Sequence, residues 1–333
     1  MSSSRIRVAF IALFTASQLY TAQARAHTIV ETDELSVELR ALAEAGYIVA
    51  DDVHSRSTGP HVGMARLSTR ATYNDIGRVF VQYEAASGEA RLLDLLGILY
   101  ITDWFHLRLG YFKTPTSVDY NISTARKPFP TRALVTELTP RRRAGAELLF
   151  EAPLGSATGR LHTGVFSPRP LGVPADRRLL LASRAEILWP FGLGLHLGYS
   201  DHFDTVDRDE PGEPFFIAQP RLVDIAATFR TTRWWAHVEA VIAPHRDPAY
   251  VPAGVYAAVA HRFGDLQTQP TLEPILGYDL VIPDVDLPFH RIRAGVNTYL
   301  LDHRVVPNVH YEMTIDADGR LGHAAYALLR VGI

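Results

Sequence analysis

The sequence predicts an all-β protein, a transmembrane antiparallel β-barrel of about sixteen strands with one long loop folded into its lumen. Three observations predict it. Segments of roughly ten residues alternate apolar and polar side chains along nearly the whole chain. The connections between those segments alternate long and short, as they do when one end of a barrel carries tight turns and the other carries loops. No later stretch offers about eighteen or more uninterrupted apolar residues, which argues against a conventional inner-membrane helical protein.

The N-terminus reads as an export signal. Arg5 and Arg7 precede an apolar run from Val8 to Phe14, and the small-residue triplet Ala24, Arg25, Ala26 follows, so residues 1–26 are expected to be a signal peptide cleaved near His27. Residues 27–333 then form the barrel domain. Losing Arg5, Arg7 and Arg25 moves the formal charge from -3 to -6, a mildly acidic balance that makes nucleic acid an unsuitable partner. Cysteine is absent, which removes disulfides and thiolate metal sites and leaves stability to the strand ladder.

Alternation places the strands in order. The first half runs Leu35 to Gly46, Val62 to Tyr73, Gly77 to Ala86, Ala90 to Ile101, Trp104 to Lys113, Arg143 to Glu151, Ala157 to Phe166 and Arg178 to Trp189. The second half runs Phe191 to Ser200, Pro220 to Arg230, Arg233 to Ile242, Val251 to Arg262, Thr271 to Val281, Phe289 to Leu301, Arg304 to Ile315 and Leu321 to Ile333. Phe105 to Tyr111 is the clearest, with Phe105, Leu107, Leu109 and Tyr111 on one face and His106, Arg108 and Gly110 on the other. The segments beginning at Ala90 and Val251 alternate poorly.

The polar faces carry Arg, His, Glu and Gly, as a crowded wet lumen would, where a soluble sandwich would favour Lys, Glu and Thr. Arg66, Arg70, Arg78, Arg108, Arg143, Arg160, Arg184, Arg230, Arg291, Arg293 and Arg330 fall on that face. Glu84, Asp94, Glu147, Glu186, Asp224, Glu239, Asp279 and Glu312 nearly offset them, a mixture that suits general permeation under a transverse field. Tight turns are expected at Asn74–Asp75, Pro190, Thr231–Thr232 and Asp302–His303, and long loops at Tyr47 to His61, Thr114 to Arg142, Ser167 to Asp176 and Asp201 to Gln219. Tyr73, Tyr83, Tyr100, Trp104, Tyr111, Trp189, Tyr199, Trp234 and Tyr299 sit near strand ends and suit interfacial girdles.

The connection from Thr114 to Arg142 is too long for an ordinary hairpin. It holds Arg126, Lys127, Arg132, Arg141 and Arg142 against Asp119 and Glu137, with Lys113 just before and Arg143 just after. Folded inward, that cluster would meet every solute at the narrowest ring, and low-dielectric walls focus its field toward anions. Solvated loop charges facing lipopolysaccharide phosphates are the competing reading. Guanidinium supplies nearly all the positive charge, since Lys113 and Lys127 are the two lysines of the chain.

The segments GYFKTPTSVDY (Gly110 to Tyr120) and RALVTELTPRRRAGAELLFE (Arg132 to Glu151), with MARLSTRATYND and RVFVQYEAASGEARLLD upstream, resemble the phosphate-selective porin O and P family over Met64 to Glu151. The resemblance implies a sixteen-stranded trimeric outer-membrane barrel whose third external loop folds inward and whose basic lumen passes anions. Lys113, Arg132, Arg142 and Arg143 match the family motif; the family's further lumen lysines have no counterparts here.

Catalytic signatures are absent. The histidines are scattered singly, as at His106, His162, His196, His237, His261 and His310, without an HExxH pair or an acidic calcium loop, so neither metal nor cofactor is expected. No GxSxG elbow occurs. The expectation is therefore a passive channel for small anions such as phosphate in the outer membrane of a Gram-negative bacterium, with outer-membrane lipid and lipopolysaccharide around a homotrimer. Lys113, Arg126, Lys127, Arg132, Arg141, Arg142 and Arg143 are the constriction candidates, and Arg66, Arg70, Arg108, Arg291 and Arg293 the lumen-lining candidates. A non-selective porin, a barrel enzyme or adhesin, and a soluble periplasmic β protein are the alternatives.

Overall fold

A computed structural model describes residues 27–51, 58–86, 90–169, 171, 179–203, 221–244, 251–264, 270–282, 288–301 and 304–332. The expected signal peptide, Ile333 and much of the expected loops, including 52–57, 172–178 and 204–220, lie outside the described residues.

Among the described residues, seventeen strands form. The first nine are β1 (His27–Glu31), β2 (Leu35–Asp51), β3 (Gly59–Tyr73), β4 (Gly77–Glu84), β5 (Arg91–Thr102), β6 (Phe105–Lys113), β7 (Arg142–Leu154), β8 (Ala157–Phe166) and β9 (Leu179–Leu188). The others are β10 (Leu193–Phe203), β11 (Arg221–Arg230), β12 (Trp234–Ile242), β13 (Ala253–His261), β14 (Thr271–Ile282), β15 (Phe289–Tyr299), β16 (Val305–Ile315) and β17 (Leu321–Gly332). Each strand from β2 onward pairs antiparallel with the next, and β17 returns to pair with β2, so β2 to β17 close a ring of sixteen that leaves no sheet edge.

The short β1 is the strand that alternation did not reveal. It pairs with Ser36 to Leu39 of β2, while β17 occupies Leu42 to Asp51 of the same strand, so the two chain ends share one flank of β2. Five residues are too few to display a period. β2 also runs five residues beyond the expected Gly46, because Tyr47 and Val49 remain outside and Ile48 inside. A bulge opposite Glu44 and Ala45, at Gly63, breaks the alternation of β3 there and obscured this extension.

Local chemistry fixes the hairpins. Asn74 adopts φ 42° in the tight turn between β3 and β4, a left-handed conformation that Asn tolerates. Gly110 in β6 has φ 131°, and a Cβ there would stand 2.0 Å from the Leu95 carbonyl, so only glycine fits against β5.

The outward face is apolar, with Leu67, Val79, Leu99, Leu109, Leu161, Leu197, Ile225, Val238, Leu276 and Val309 all exposed. Such a belt has no place in water, and lipid tails satisfy it. Exposed aromatic rings rim it: Tyr73, Trp104 and Trp234 at the short-turn end, Tyr47, Tyr83, Tyr199, Tyr278 and Tyr311 at the loop end. Tyr299 departs from the expected girdle, because it faces inward and donates its hydroxyl to Glu273.

The interior is not uniformly wet. Phe129, Ala133, Val135 and Leu138 of the connection between β6 and β7 pack against Leu222, Val241, Tyr256, Ala258, Ala260, Ile275 and Val281 on β11 to β14. Opposite this seat, Leu96, Phe112, Phe166, Leu180 and Ala182 form a second apolar cluster on β5, β6, β8 and β9.

Candidate functional site

The connection between β6 and β7 begins at Thr114, whose hydroxyl accepts no freedom: it donates to the carbonyls of Pro140 and Arg141 and so ties the loop's two ends together. A single helical turn, α1 (Val118–Asn121), follows, capped by the Ser117 hydroxyl, which accepts from the Tyr120 N–H at 3.0 Å. Two 3₁₀ turns, Thr124–Arg126 and Leu134–Leu138, complete the loop.

Inward carboxylates hold it. Glu239 on β12 accepts from the Ser117 hydroxyl and, at 2.8 Å, from the Asp119 N–H. Asp279 on β14 accepts from the Leu134 N–H at 2.8 Å, and Glu312 on β16 accepts from the Thr131 hydroxyl. Inward arginines hold the loop's carbonyls: Arg291 donates to Arg132, Arg293 to Thr131 at 3.2 Å, and Arg330 to Lys127 at 3.2 Å. Those arginines are themselves paired, Arg293 with Asp279 at 2.8 Å and Arg330 with Glu44 at 2.8 Å. Arg293 also lies between the Phe129 and Tyr256 rings, 4.2 and 5.1 Å from their centroids. A charge buried this completely survives only when paired and hydrogen-bonded. Glu239, Asp279 and Glu312 are thus engaged in fixing the loop, while Glu84, Asp94, Glu147 and Glu186 pair with Arg66, Arg142, Arg108 and Arg184 on the wall.

Other arginines, several of them paired with acids, line open space beside the loop. On the short-turn side of the loop, a cavity of about 490 Å³ against β2 to β5 is lined by Arg40, Arg66, Arg70, Lys113, Arg142 and Arg304, with Asp94 as the acid among them. A second cavity of about 790 Å³, against β10 to β15, is lined by Arg126, Arg230, Arg233 and Arg262, with Glu273 as the acid. Asn121, Ser123 and Ala125 of the loop border both. A third, of about 480 Å³, opens on the other side of the loop between Arg132, Glu137, Phe289 and Arg291.

The whole chain can be compared with solved proteins on this architecture. It is similar to the anion-selective porin from Comamonas acidovorans at 11% identity and TM-score 0.67, over 90% of this chain and 100% of that one. It is similar to the in-vitro folded OmpT of Vibrio cholerae in its trimer form at 12% identity and TM-score 0.61, over 90% and 100%. Salmonella typhi OmpF in complex with daunomycin gives 12% identity and TM-score 0.60, over 91% and 99%. The fold is that of the outer-membrane porins. No protein-family model and no curated protein matches the chain, so the likeness of Met64 to Glu151 to phosphate-selective porins rests on those motifs alone.

Within this porin fold the sequence-predicted residues separate into three groups. Lys113, Arg142, Arg66 and Arg70 come together around the β2–β5 cavity, and Arg126 faces the β10–β15 cavity. Arg142 grips Asp94 through two bonds of 2.9 and 3.0 Å, Arg66 bonds Glu84 at 2.7 Å, and Lys113 donates to the Tyr120 and Ile122 carbonyls at 2.7 and 3.1 Å. A second group fastens structure. Arg132 donates to the Asp119 carbonyl at 2.7 Å and stacks on Tyr120, Arg291 and Arg293 clamp the loop from the wall, and Arg108 pairs with Glu147.

The third group lies away from both short-turn cavities. Arg143 is 3% exposed and donates to the Pro168 and Arg142 carbonyls at 3.2 and 2.8 Å, so it does not share a ring with Arg142. Arg141 is exposed and pairs with Glu137 one helical step away. The Arg142–Arg143 doublet splits because strand alternation sends neighbours in opposite directions once β7 begins. Arg40, Arg233, Arg262 and Arg304 were missed; Arg233 and Arg304 sit in turns, where no period marks a face.

Lys127 is the exception among the loop cations. Its ammonium donates to the Pro130 carbonyl inside the loop, and burial pushes it from 10.5 down to about 7, with Glu44 opposing and Arg330, Arg132 and Arg66 reinforcing. The sign follows directly. Between about 7 and 10.5 the unfolded chain holds a proton that the folded protein lacks, so this group's contribution to stability improves as pH rises through that window and is constant below it. Acidification through about 7 also adds a positive charge to the loop. Lowering the pH from about 8 to about 6 is therefore expected to raise chloride-over-potassium preference in the native protein, and Lys127→Met to remove that part of the rise. Equal pH dependence in both proteins would show that Lys127 does not titrate there.

Among the described residues, no group of three or more His, Asp or Glu side chains is arranged to hold a metal ion.

Proposed function

We propose that the protein is an outer-membrane porin, a passive aqueous channel that prefers small anions, phosphate among them, and performs no catalysis. One observation carries the reading: five arginines and a lysine to one acid, and four arginines to one acid, line the two short-turn cavities, while Glu239, Asp279 and Glu312 are turned to the loop. A wide lumen keeps an ion hydrated, and fixed positive charge along low-dielectric walls raises the local anion concentration. The apolar belt and aromatic rims support residence in the outer membrane of a Gram-negative bacterium, in contact with lipid and lipopolysaccharide, after removal of residues 1–26. The similarity to a trimeric Vibrio cholerae protein supports a homotrimer.

Purified protein in a planar bilayer is expected to give stepwise conductance. Its absence from detergent-folded, membrane-inserted protein would favour a barrel enzyme or adhesin, and steps without ion preference would favour a non-selective porin.

A further inference from the structure

The two basic cavities differ in what their cations are doing. Arg66 and Arg142 in the β2–β5 cavity are each engaged by a carboxylate, at 2.7 and 2.9 Å. In the β10–β15 cavity Arg262 is likewise held by Glu273 at 2.7 Å and lies 5.0 Å from the centroid of the Tyr299 ring. Arg126 on the loop and Arg230 on the β11 wall are different. Both are exposed to the cavity, neither has an ion-pair partner among the described residues, and they lie close enough to repel each other. Two guanidinium forks on one cavity, neither paired with an acid although Glu273 lies near enough to attract Arg230, form an arrangement that a carboxylate would complete through N–H···O bonds.

The surface around them is mixed, with an apolar and aromatic part beside polar residues such as His196 and Thr228. Ile122 and Pro128 from the loop and Trp235 from β12 line the same cavity. At about 790 Å³ the space lies within the range of organic-ligand pockets, and a chloride or phosphate ion would leave most of it to water. The acid on the lining, Glu273, already serves Arg262 and the Tyr299 hydroxyl, which weakens its repulsion of an incoming anion.

We infer that this cavity is a binding subsite for small aromatic carboxylates, with the carboxylate between Arg126 and Arg230 and the ring against Trp235. The inference rests on the anion-channel reading and narrows its solute class. A flat ring covers apolar surface that acetate cannot, and the guanidinium pair supplies the charge-assisted bonds that a neutral aromatic cannot use.

The test is single-channel recording of chloride current with benzoate, acetate or inorganic phosphate added at matched concentrations. Benzoate is expected to reduce the current with about tenfold tighter apparent binding than acetate, and Arg126→Gln or Arg230→Gln to weaken benzoate about tenfold, the scale of one charge-assisted hydrogen bond. Trp235→Leu should weaken benzoate while leaving acetate unchanged. Arg126 lies in an exposed part of the loop, so that variant tests the subsite without threatening the barrel. Chloride preference retained with benzoate no better than acetate would overturn this inference alone, as would benzoate block undiminished in both arginine variants. Loss of chloride preference in the native protein would instead overturn the channel reading beneath it.

Discussion

Replacing Arg291 and Arg293 together by Ala is expected to release the loop from the wall and raise single-channel conductance about twofold, since conduction follows the open cross-section. The reasoning begins at Asp279, which is fully buried and receives Arg291 at 3.2 Å, Arg293 at 2.8 Å and the Leu134 N–H at 2.8 Å. Breaking a buried pair by removing one partner costs about 3–5 kcal/mol, because the remaining charge is left without compensation. The same change removes the bonds to the Arg132 and Thr131 carbonyls and the cation over Phe129. Strand pairing of β14, β15 and β16 does not depend on these side chains, so the barrel should still form. Its heat-modifiable migration on gels reports that formation. Unchanged conductance in a folded double variant would mean that the apolar seat alone holds the loop.

Changing Arg40 and Arg70 to Gln is the second large effect, and it acts on selectivity rather than on pore size. Both line the β2–β5 cavity, and both lean on Glu38, at 2.6 and 3.6 Å. A unit charge about 7 Å from a passing ion contributes about 0.6 kcal/mol in water, with opposite sign for chloride and potassium, so each arginine changes their permeability ratio by about sevenfold. Glu38, freed of its partners, adds a field of the wrong sign for anions. Chloride-over-potassium permeability should therefore fall by about sevenfold or more, with conductance steps of ordinary size. A ratio that stays put would place the controlling ring elsewhere, with the β10–β15 cavity the next candidate.

Much of the barrel was legible in the sequence because period-two alternation is a direct imprint of a wall with lipid on one side. The residues that defeated the period carry the more useful lesson. The segments starting at Ala90 and Val251 alternate poorly because β5 turns Leu96 inward and β13 turns Tyr256, Ala258 and Ala260 inward, into the two apolar clusters. On β13 that disorder in the pattern was the signal for where the loop docks. It could not be read as such without knowing that Phe129, Val135 and Leu138 supply the other half of the cluster.

The site was legible as composition and not as arrangement. The basic loop was visible, yet Arg132 turned out to brace the loop, Arg143 to be buried against Pro168, and Lys127 to spend its ammonium on Pro130. Those carbonyls lie 13, 25 and 3 residues away, but the loop conformation that presents them is set by distant contacts such as Ser117 with Glu239, at a separation of 122. The apparent balance of acids and bases on the lumen face concealed the same fact. Glu239, Asp279 and Glu312 hold the loop, Glu44 holds Arg330 against it, and Glu84, Asp94 and Glu147 each pair with a wall arginine, so the count does not say where positive charge meets the pore.

Reversal potential in a potassium chloride gradient across a planar bilayer tests this division of labour most directly. If the arginines lining the two short-turn cavities set the field along the pore, the potential will carry the sign of chloride permeating faster than potassium, and the difference will shrink at high salt as screening shortens the reach of those charges. A reversal potential of the opposite sign would contradict the account, since potassium could be favoured only if acids, not arginines, governed the path.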